Sequence, residues 1–394
     1  MAEQSLISIE EAERIIAAFP VTVQQESVPL PDVQNRILAQ DMLSPFDMPE
    51  FDKSAMDGYA YIGADHSPAY QIIETIAAGT PPSQRIHPGQ CARIMTGAMI
   101  PQGADRVVKG ECTQEKNGVM TIVSEDKNIN IRRQGEDLQT GQLALARGVR
   151  LGPAQIALLA SLGLAEVPVA RRPRIAVITT GTELAAPGTS LQPGQIYNSN
   201  AHSLAAQIRA LGAEPLPLGC VIDNAAAIVN AIASALPACD VLILSGGVSA
   251  GDFDYVPAAM KEAGCTLHFE KIAVQPGMPT VFASCGEKAA FGLPGNPVST
   301  FVIFEVFIKP LIMRLMGHHF RPLICQAILE NEYRRKQAAR GLFLPLDVRH
   351  GRATIVSYHG SAHLHALSRA NALLFVPAGQ KEIRAGSMID VRCL

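Results

Sequence analysis

Residues 242–256 read LILSGGVSAGDFDYV, and the aliphatic run that opens this stretch ends in glycines, serines and acids. A strand that only filled a core would be followed by an ordinary turn. Glycines instead let the backbone approach a ligand, and successive backbone amides form a nest that binds an anion. The acids that follow are Asp252 and Asp254. The stretch therefore predicts a strand whose carboxyl end binds a phosphate group with a metal ion beside it.

The chain alternates between strand and helix patterns on both sides of this stretch, from residue 174 to about 317. The predicted strands are RIAVITTG, EPLPLGCVI, DVLILSGG and AAFGLPG, and the helices that follow them are NSNAHSLAAQIRALG, NAAAIVNAIASAL, YVPAAMKEAG and PVSTFVIFEVFIKPLIMRLMG. Such alternation predicts a doubly wound, mostly parallel α/β sheet. Ligands bind at the carboxyl ends of the strands in sheets of this kind.

The first helix is predicted at residues 8–19. Ser8 and Glu11 have the spacing of a capping box, apolar residues recur at helical period, and Pro20 ends the helix. A second helical segment lies at 153–163, and we expect the two helices to pair.

The remaining segments are rich in short β-prone pieces between glycine and proline turns, so the predicted fold class is a multidomain α/β protein with β-rich flanking units. The predicted division is a linker domain made of residues 1–46 and 142–172, an inserted β-rich domain at 47–141, the α/β domain at 173–317 and a small barrel-like β domain at 318–394.

The composition argues against several classes of protein. The net charge of −3 does not favour a general nucleic-acid-binding surface, and no apolar stretch is long enough to cross a bilayer. The first residues lack the pattern of a signal peptide, which favours a cytoplasmic protein. The eight cysteines form no CxxC or zinc-like cluster, so we expect reduced and mostly buried thiols.

Three predicted strand ends carry polar and acidic residues. The candidate ligand-binding residues there are Thr180, Gly181, Ser245, Gly246, Gly247 and Ser249, and the candidate ligands of Mg²⁺ are Glu183, Asp223 and Asp254. Carboxylates beside a phosphate site need a divalent cation, because the like charges would otherwise repel. Each acid by itself could instead be a helix cap and each glycine a turn residue. Convergence on one edge of the sheet favours the binding site.

Further candidates lie in loops. In GLPGNPVST, Pro294 stiffens the loop, while Asn296 and Pro297 suit the start of a helix, which could meet an anion or be a plain cap. In the first half, FDKSAMDGYA contains Asp57, RIMTGA contains Thr96 and IRRQGEDL contains Asp137. Taken singly, each of these three segments could be a turn with solvated charges.

Seven motifs together resemble the molybdopterin molybdenumtransferase family, and they cover essentially the whole chain. In order they are FDKSAMDGYA, RIMTGA, RRQGEDL, TTGTEL, SGGVSAGDFDY, PGMPT and GLPGNPVS. The resemblance implies the last step of molybdenum cofactor assembly, in which molybdate and adenylylated molybdopterin react with magnesium-dependent release of AMP. It also implies a homodimer, whose cleft lies between the α/β domain of one subunit and the β domain of the other, and an association with other proteins of the pathway.

The resemblance also assigns roles to residues. The pyrophosphate would lie over the glycine-rich strand ends, the inserted β domain would supply residues to the cleft, and Ser361 would lie near the oxyanion. The residues assigned to catalysis are Asp57, Thr96, Asp137, Glu183, Asp223, Asp254 and Lys271, and those assigned to ligand binding are Thr180, Gly181, Ser245, Gly246, Gly247, Ser249, Gln275, Pro294, Asn296, Pro297 and Ser361.

The sequence departs from the family at cationic positions. Several relatives have KPGKP where this chain reads QPGMP, with Gln275 and Met278, and an expected arginine is replaced by Pro345. Molybdate is a dianion that needs such groups. The candidates to replace them are Arg340, Arg349 and Arg369.

Two other functions fit part of the pattern. A paralogue that binds molybdopterin, or serves as a scaffold, without turnover would explain the lost cations. An adenylyltransferase could use a related α/β domain with ATP, but the β domains specific to the family argue against it.

Overall fold

A six-stranded mixed sheet lies at the centre of the computed structural model, which describes residues 6–248, 255–356 and 363–394. The strand order is Glu214–Val221, Arg174–Thr180, Val241–Ser245, Lys288–Leu293, Val281–Cys285 and Thr266–Phe269. The first four strands are parallel to one another, Val281–Cys285 is antiparallel to them, and Thr266–Phe269 is antiparallel to Val281–Cys285. This confirms the predicted doubly wound sheet and adds two strands on one side that the sequence pattern did not separate.

The strand Val241–Ser245 is buried along its whole length. Ile243 faces one hydrophobic core, while Leu242 and Leu244 face a second core on the other side of the sheet. Helices cover both faces, which is why this strand reads as a continuous apolar run and not as an alternating one. The covering helices are Ser199–Ala210, Ala225–Ala235, Val256–Glu262, Pro297–Ile303 and Lys309–Leu315, the last two joined by a π-helical turn at Phe304–Ile308.

The N-terminal helix, Ile9–Ala18, begins as predicted, because the Ser8 hydroxyl accepts from the Glu11 amide at 3.1 Å. It does not pair with the helix Pro153–Ser161. The buried face of the first helix belongs to the core of the α/β sheet, whereas Leu159 of the second helix lies in a separate core. The prediction of a helix pair was therefore wrong.

The α/β region also caps the end of the first helix. The Arg314 guanidinium donates to the carbonyl oxygens of Ile16 and Phe19 at 3.0 and 2.7 Å. The Phe19 amide already donates to the Ile16 carbonyl at 3.2 Å, so the cation from helix Lys309–Leu315 adds a second donor there and gives the Phe19 carbonyl a donor from outside the first helix.

The first half of the chain holds a second six-stranded sheet. Its order is Arg106–Lys109, Gly58–Tyr61, Gln90–Ile94, Tyr70–Ile76, Val119–Ile122 and Thr113–Lys116. Short ladders join residues before this sheet to residues near or after its end. These ladders are Gln25–Pro29 with Glu166–Ala170, Met42–Leu43 with Leu143–Leu145 and Lys53–Ser54 with Ile131–Arg132, and 3₁₀ turns occur at Leu30–Asp32 and Gly110–Cys112. The chain therefore enters and leaves this β region at neighbouring points.

The C-terminal strands close into a small barrel. Gly341–Arg349 pairs with Arg352–Ile355 on one side and with Ala372–Val376 on the other. Ile324–Leu329 and Met388–Cys393 complete the circle. The smaller elements nearby are the ladders Leu184–Ala185 with Ile196–Tyr197 and Tyr333–Arg334 with Glu382–Ile383, and the helix Leu364–Leu367.

A short parallel ladder fastens the barrel to the α/β region. Val274–Gln275 pairs with the first residues of the barrel strand Gly341–Arg349. No helix within residues 6–248, 255–356 and 363–394 is long and apolar enough to cross a membrane.

The cysteines differ from the prediction. Cys265 and Cys285 form a disulfide, and Cys220 and Cys325 are exposed thiols. The pairing arises because Thr266 lies opposite Ser284 in the antiparallel edge ladder, which places the two cysteines at adjacent strand ends. The two cysteines are 20 residues apart in the sequence, and that separation does not indicate a disulfide.

We expect six reactive thiols in the denatured protein purified without reductant, because Cys265 and Cys285 are bonded to each other and six cysteines are free. A colorimetric thiol titration before and after reduction would measure this number. The variant Cys265→Ser should show seven thiols, since Cys285 is then released. Eight thiols in the unreduced wild-type protein would contradict the disulfide.

Candidate functional site

The carboxyl ends of three central strands line a cavity of about 620 Å³, here called the strand-end cavity. The predicted residues that the structure brings together there are Thr180, Gly181, Glu183, Asp223, Ser245, Gly246, Gly247, Pro294, Asn296 and Pro297. They come from distant points of the chain because parallel strands end at the same edge of a sheet. Ser249, Asp254 and Ser361 lie outside the described residues.

Gly246 packs directly against the neighbouring strand. Its φ is +107°, and a Cβ at this position would lie 2.4 Å from the Thr180 carbonyl oxygen and 2.6 Å from its Oγ1. Only glycine fits this contact. The Gly246 amide donates to the Leu293 carbonyl at 2.9 Å. That N–H is therefore occupied within the sheet and does not contribute to an anion nest.

Two buried polar atoms at this cavity have no hydrogen-bond partner among the described residues, namely Thr180 Oγ1 and Asn200 Oδ1. The Asn200 amide nitrogen donates to Ser245 Oγ at 2.9 Å and to the Gly295 carbonyl at 2.7 Å. Because a carbonyl can only accept, this contact determines which end of the amide faces Gly295. Asn200 Oδ1 is then an acceptor left for a donor group of a ligand.

Sequence reasoning missed Asn200. Its neighbour Asn198 caps helix Ser199–Ala210 by accepting from the Ala201 amide at 3.2 Å, which is the usual role of asparagine at a helix start. Both asparagines lie in the segment IYNSN, and nothing in the sequence separates a capping asparagine from one that faces the cavity. The hydrogen bond from Asn200 to Ser245 identifies Asn200 as the residue at the cavity.

Glu183 and Asp223 lie at the same rim. The Glu183 carboxylate lies over Gly181, where a Cβ would be 2.6 Å from its Oε2, and Asp223 Oδ2 accepts from the Thr182 amide at 3.2 Å. Burial raises the pKa of the Cys220 thiol, and both carboxylates raise it further. Both carboxylates are therefore close enough to Cys220 to act on the charge of its thiol.

The donor set of this rim suits Mg²⁺. The described residues contain no group of three or more histidines, cysteines or acids arranged for a metal. Mg²⁺ usually keeps several water ligands and needs only one or two carboxylates together with substrate phosphate oxygens. Glu183 and Asp223 fit that requirement.

A second cavity, of about 800 Å³, lies between the loop 274–279 and the C-terminal barrel, and is here called the barrel cavity. Its polar lining includes Gln275, Asn296, Arg335 and Arg340. Pro279, Pro294 and Asn296 line both cavities, so the two adjoin. The Asn296 side chain makes no capping hydrogen bond to helix Pro297–Ile303, so the plain-cap interpretation does not account for it.

Lys271 and Pro345 line neither of these cavities. The Lys271 carbonyl accepts from the Ile7 amide at 3.2 Å, which ties down the N-terminal segment. Pro345 is buried within barrel strand Gly341–Arg349. The position of the arginine expected from the family therefore does not open into the barrel cavity.

The predicted residues of the first half lie elsewhere in the subunit. The Asp57 carboxylate accepts from the Thr96 amide at 2.7 Å and from its hydroxyl at 2.8 Å, and these two bonds lower the pKa of Asp57 below its ordinary value. Asp137 lines a different cavity of about 880 Å³, together with Lys53 and Arg132. Asp57, Thr96 and Asp137 therefore do not line the strand-end cavity of their own subunit.

We expect Gly246→Ala to destabilise the protein more than Gly264→Ala. Both glycines have positive φ, which costs an alanine about 1–2 kcal/mol, but a Cβ at Gly264 would meet no atom within 4 Å. The contact with Thr180 should add about 1–3 kcal/mol for Gly246→Ala. Urea or thermal unfolding of the two variants would measure the difference. An equal loss would show that the close contact with Thr180 does not constrain the strand ends.

Comparisons with known proteins agree along the whole chain. Family models match as the MoeA N-terminal region (domain I and II) at residues 7–163, a probable molybdopterin binding domain at 176–314 and the MoeA C-terminal region (domain IV) at 329–394. The molybdopterin molybdenumtransferase of Bacillus subtilis is 36% identical over 99% of this chain and 95% of its own. Molybdopterin molybdenumtransferase 2 of Mycobacterium tuberculosis is 38% identical over 98% of each chain.

Solved structures give the same result. A molybdopterin biosynthesis MoeA protein from Pyrococcus horikoshii has a TM-score of 0.87 at 27% identity and covers 99% of this chain and 100% of its own. The matches span all the regions that form the two adjoining cavities. This chain therefore belongs to the molybdopterin molybdenumtransferase family and is an enzyme of molybdenum cofactor biosynthesis.

Proposed function

We propose that this enzyme inserts molybdenum from molybdate into adenylylated molybdopterin and releases AMP. The observation that carries this proposal is that two cavities adjoin at Pro279, Pro294 and Asn296. The strand-end cavity has acids for a metal-bound phosphate, and the barrel cavity has a cationic side chain for an oxyanion. A substrate that must meet both a nucleotide phosphate site and an oxyanion fits across this junction.

Uncharged polar groups would hold the pterin nucleotide in the strand-end cavity. The Thr180 hydroxyl can donate to a phosphate oxygen, whereas Asn200 Oδ1 can only accept from an N–H or O–H of the substrate. Ser245 lies at the same edge, where its hydroxyl accepts from Asn200 and donates to the Pro294 carbonyl at 3.3 Å, so it would orient Asn200 for the substrate. Pairing both buried atoms with the substrate would remove a cost of about 1–3 kcal/mol for each unpaired group.

Glu183 and Asp223 would hold Mg²⁺, and Asp254 is a third candidate from outside the described residues. When bound, the ion would neutralise the charge of the pyrophosphate and favour the departure of AMP. The two carboxylates themselves keep the rim anionic, so that a diphosphate without its cation is repelled.

We also propose that the enzyme acts as a homodimer in the cytoplasm, receiving its adenylylated substrate from another protein of the pathway. Asp57, Thr96 and Asp137 lie apart from the strand-end cavity in one subunit. A second copy, with its β region at 47–141 facing the α/β region at 173–317, would complete the cleft. The linker at 1–46 and 142–172 and the barrel at 318–394 are the remaining units of the proposed division.

A binding paralogue without turnover is the second candidate function, because Gln275 and Met278 stand where several relatives have lysines. Measuring AMP release from adenylylated molybdopterin with magnesium, with and without molybdate, would separate the two. Release that requires molybdate supports the transferase. Tight molybdopterin binding with no release under either condition would support the paralogue.

We expect Glu183→Gln to lower the rate of AMP release by about 10- to 100-fold, since an amide is a poor ligand for Mg²⁺. Glu214→Gln is the matched control. Glu214 is exposed at the amino end of strand Glu214–Val221, away from the cavity, and its loss should leave the rate unchanged. Wild-type rates for both variants, over a titration of magnesium, would show that Glu183 does not hold the metal.

A further inference from the structure

Two arginines line the barrel cavity, but one of them is already occupied. The Arg335 guanidinium donates to three backbone carbonyls, those of Gln380 at 2.8 Å, Arg340 at 2.9 Å and Pro377 at 2.6 Å. Each of its three nitrogens uses one N–H, three of the five in the guanidinium, to hold the loops at this end of the barrel. Arg335 therefore positions the backbone of Arg340, and its guanidinium is held in place by these three carbonyls.

The side chain of Arg340 donates to no backbone carbonyl among the contacts of the described residues. Its guanidinium donates to Met278 Sδ at 3.2 Å, and a thioether is a weak, uncharged acceptor. No carboxylate of the residues that the structure describes lies within 4.0 Å of it. The acid that lines this cavity, Glu332, is paired with Arg334 at 3.3 Å. Arg340 thus brings a half-buried positive charge to the cavity without a counter-ion.

The rest of the cavity lining suits an oxyanion. Gln275 and Asn296 bring amide groups from the α/β side, and Asn331 and Gln337 bring two more from the barrel side. Amide nitrogens donate to oxyanion oxygens, and the planar guanidinium fork can donate to two oxygens at once. A tetrahedral dianion would be bound here by one cation and several neutral donors.

We propose that Arg340 is the cation that binds molybdate in this chain, in place of the loop lysine and the barrel arginine of its relatives. This inference rests on the proposed function. The distance of 3.2 Å between the Arg340 guanidinium and Met278 Sδ places the charge beside the very position that carries lysine in KPGKP. A cation from the barrel thus lies within contact distance of the loop residue Met278.

The other two candidate arginines do not lie where they could bind an oxyanion in the barrel cavity. Arg349 is paired with Asp347 at 3.0 Å and its side chain is 77% exposed. Neither Arg349 nor Arg369 lines the barrel cavity. Arg340 is held in place because the next residue, Gly341, donates its amide to the Ala273 carbonyl at 3.0 Å, beside the loop that contains Gln275.

The first test is direct binding of sodium molybdate to the full-length protein, with and without molybdopterin, by calorimetry or equilibrium dialysis. Arg340→Ala should weaken binding by about 10- to 100-fold, the usual effect of losing a charge-assisted hydrogen bond. Arg384→Ala is the charge-matched control. Its side chain is 88% exposed on the same barrel and makes only a 3.9 Å ion pair, so affinity should stay within about twofold.

A rescue variant separates lost charge from lost structure. Adding Met278→Lys to Arg340→Ala returns a cation to the loop, so affinity should recover to within about threefold of the wild type. Adding Met278→Leu instead, which is similar in size and uncharged, should leave binding weak. Thermal unfolding midpoints of the two double variants should agree, which shows that the recovery comes from the charge.

Several outcomes would overturn the assignment. These are unchanged molybdate affinity in Arg340→Ala, an equal loss in Arg384→Ala, no rescue by lysine, or no binding of molybdate by the wild type in either condition. Turnover separates this inference from the proposed function. If the wild type releases AMP with molybdate but Arg340→Ala has an unchanged KM for molybdate, the enzyme activity stands and Arg340 is excluded. If no AMP is released while molybdate binding still depends on Arg340, the activity fails and the oxyanion site stands.

Discussion

The close contact of Gly246 with Thr180 is the constraint on which the candidate site depends. The parallel register of their strands places Thr179 opposite Ser245, so the two chains leave the sheet side by side. With no side chain at Gly246, the backbone can lie against Thr180, and the cavity opens directly above both strand ends. The Asn200 amide then reaches Ser245 and Gly295 and joins the third strand end to the first two. A bulkier residue at Gly246 would separate these groups.

A buried network holds the barrel against the α/β region. Glu305 lies in the π-helical turn and accepts from Gln207 at 3.0 Å and from Lys309 at 2.7 Å, and Arg392 from the last barrel strand donates to the Glu305 carbonyl. Buried charges are tolerated only when they are paired in this way. Together with the ladder between Val274–Gln275 and the barrel, this network keeps the two cavities adjacent.

The charge distribution across the junction is the main chemical feature of the molecule. Glu183 and Asp223 make the strand-end rim acidic, which in the proposed function suits a phosphate that arrives with a cation. Arg340 provides the opposite charge in the adjoining cavity. Under the proposed function, this arrangement would keep a metal-bound leaving phosphate apart from an incoming oxyanion while both stay close to the same substrate.

The sequence by itself determined the alternating strands and helices, the Ser8 cap, the closed β unit at the C-terminus and the strand-end residues of the site. These follow from local periodicity and from the rule that parallel strands present their carboxyl ends at one edge. The separation of the two helices, the disulfide between Cys265 and Cys285, the contact of Asn200 with Ser245 and the contact of Arg340 with Met278 were decided only by the tertiary structure. Periodicity reports which side chains are buried, but it does not report which distant residue each one meets. Those contacts depend on how the sheet, the β region and the barrel pack together.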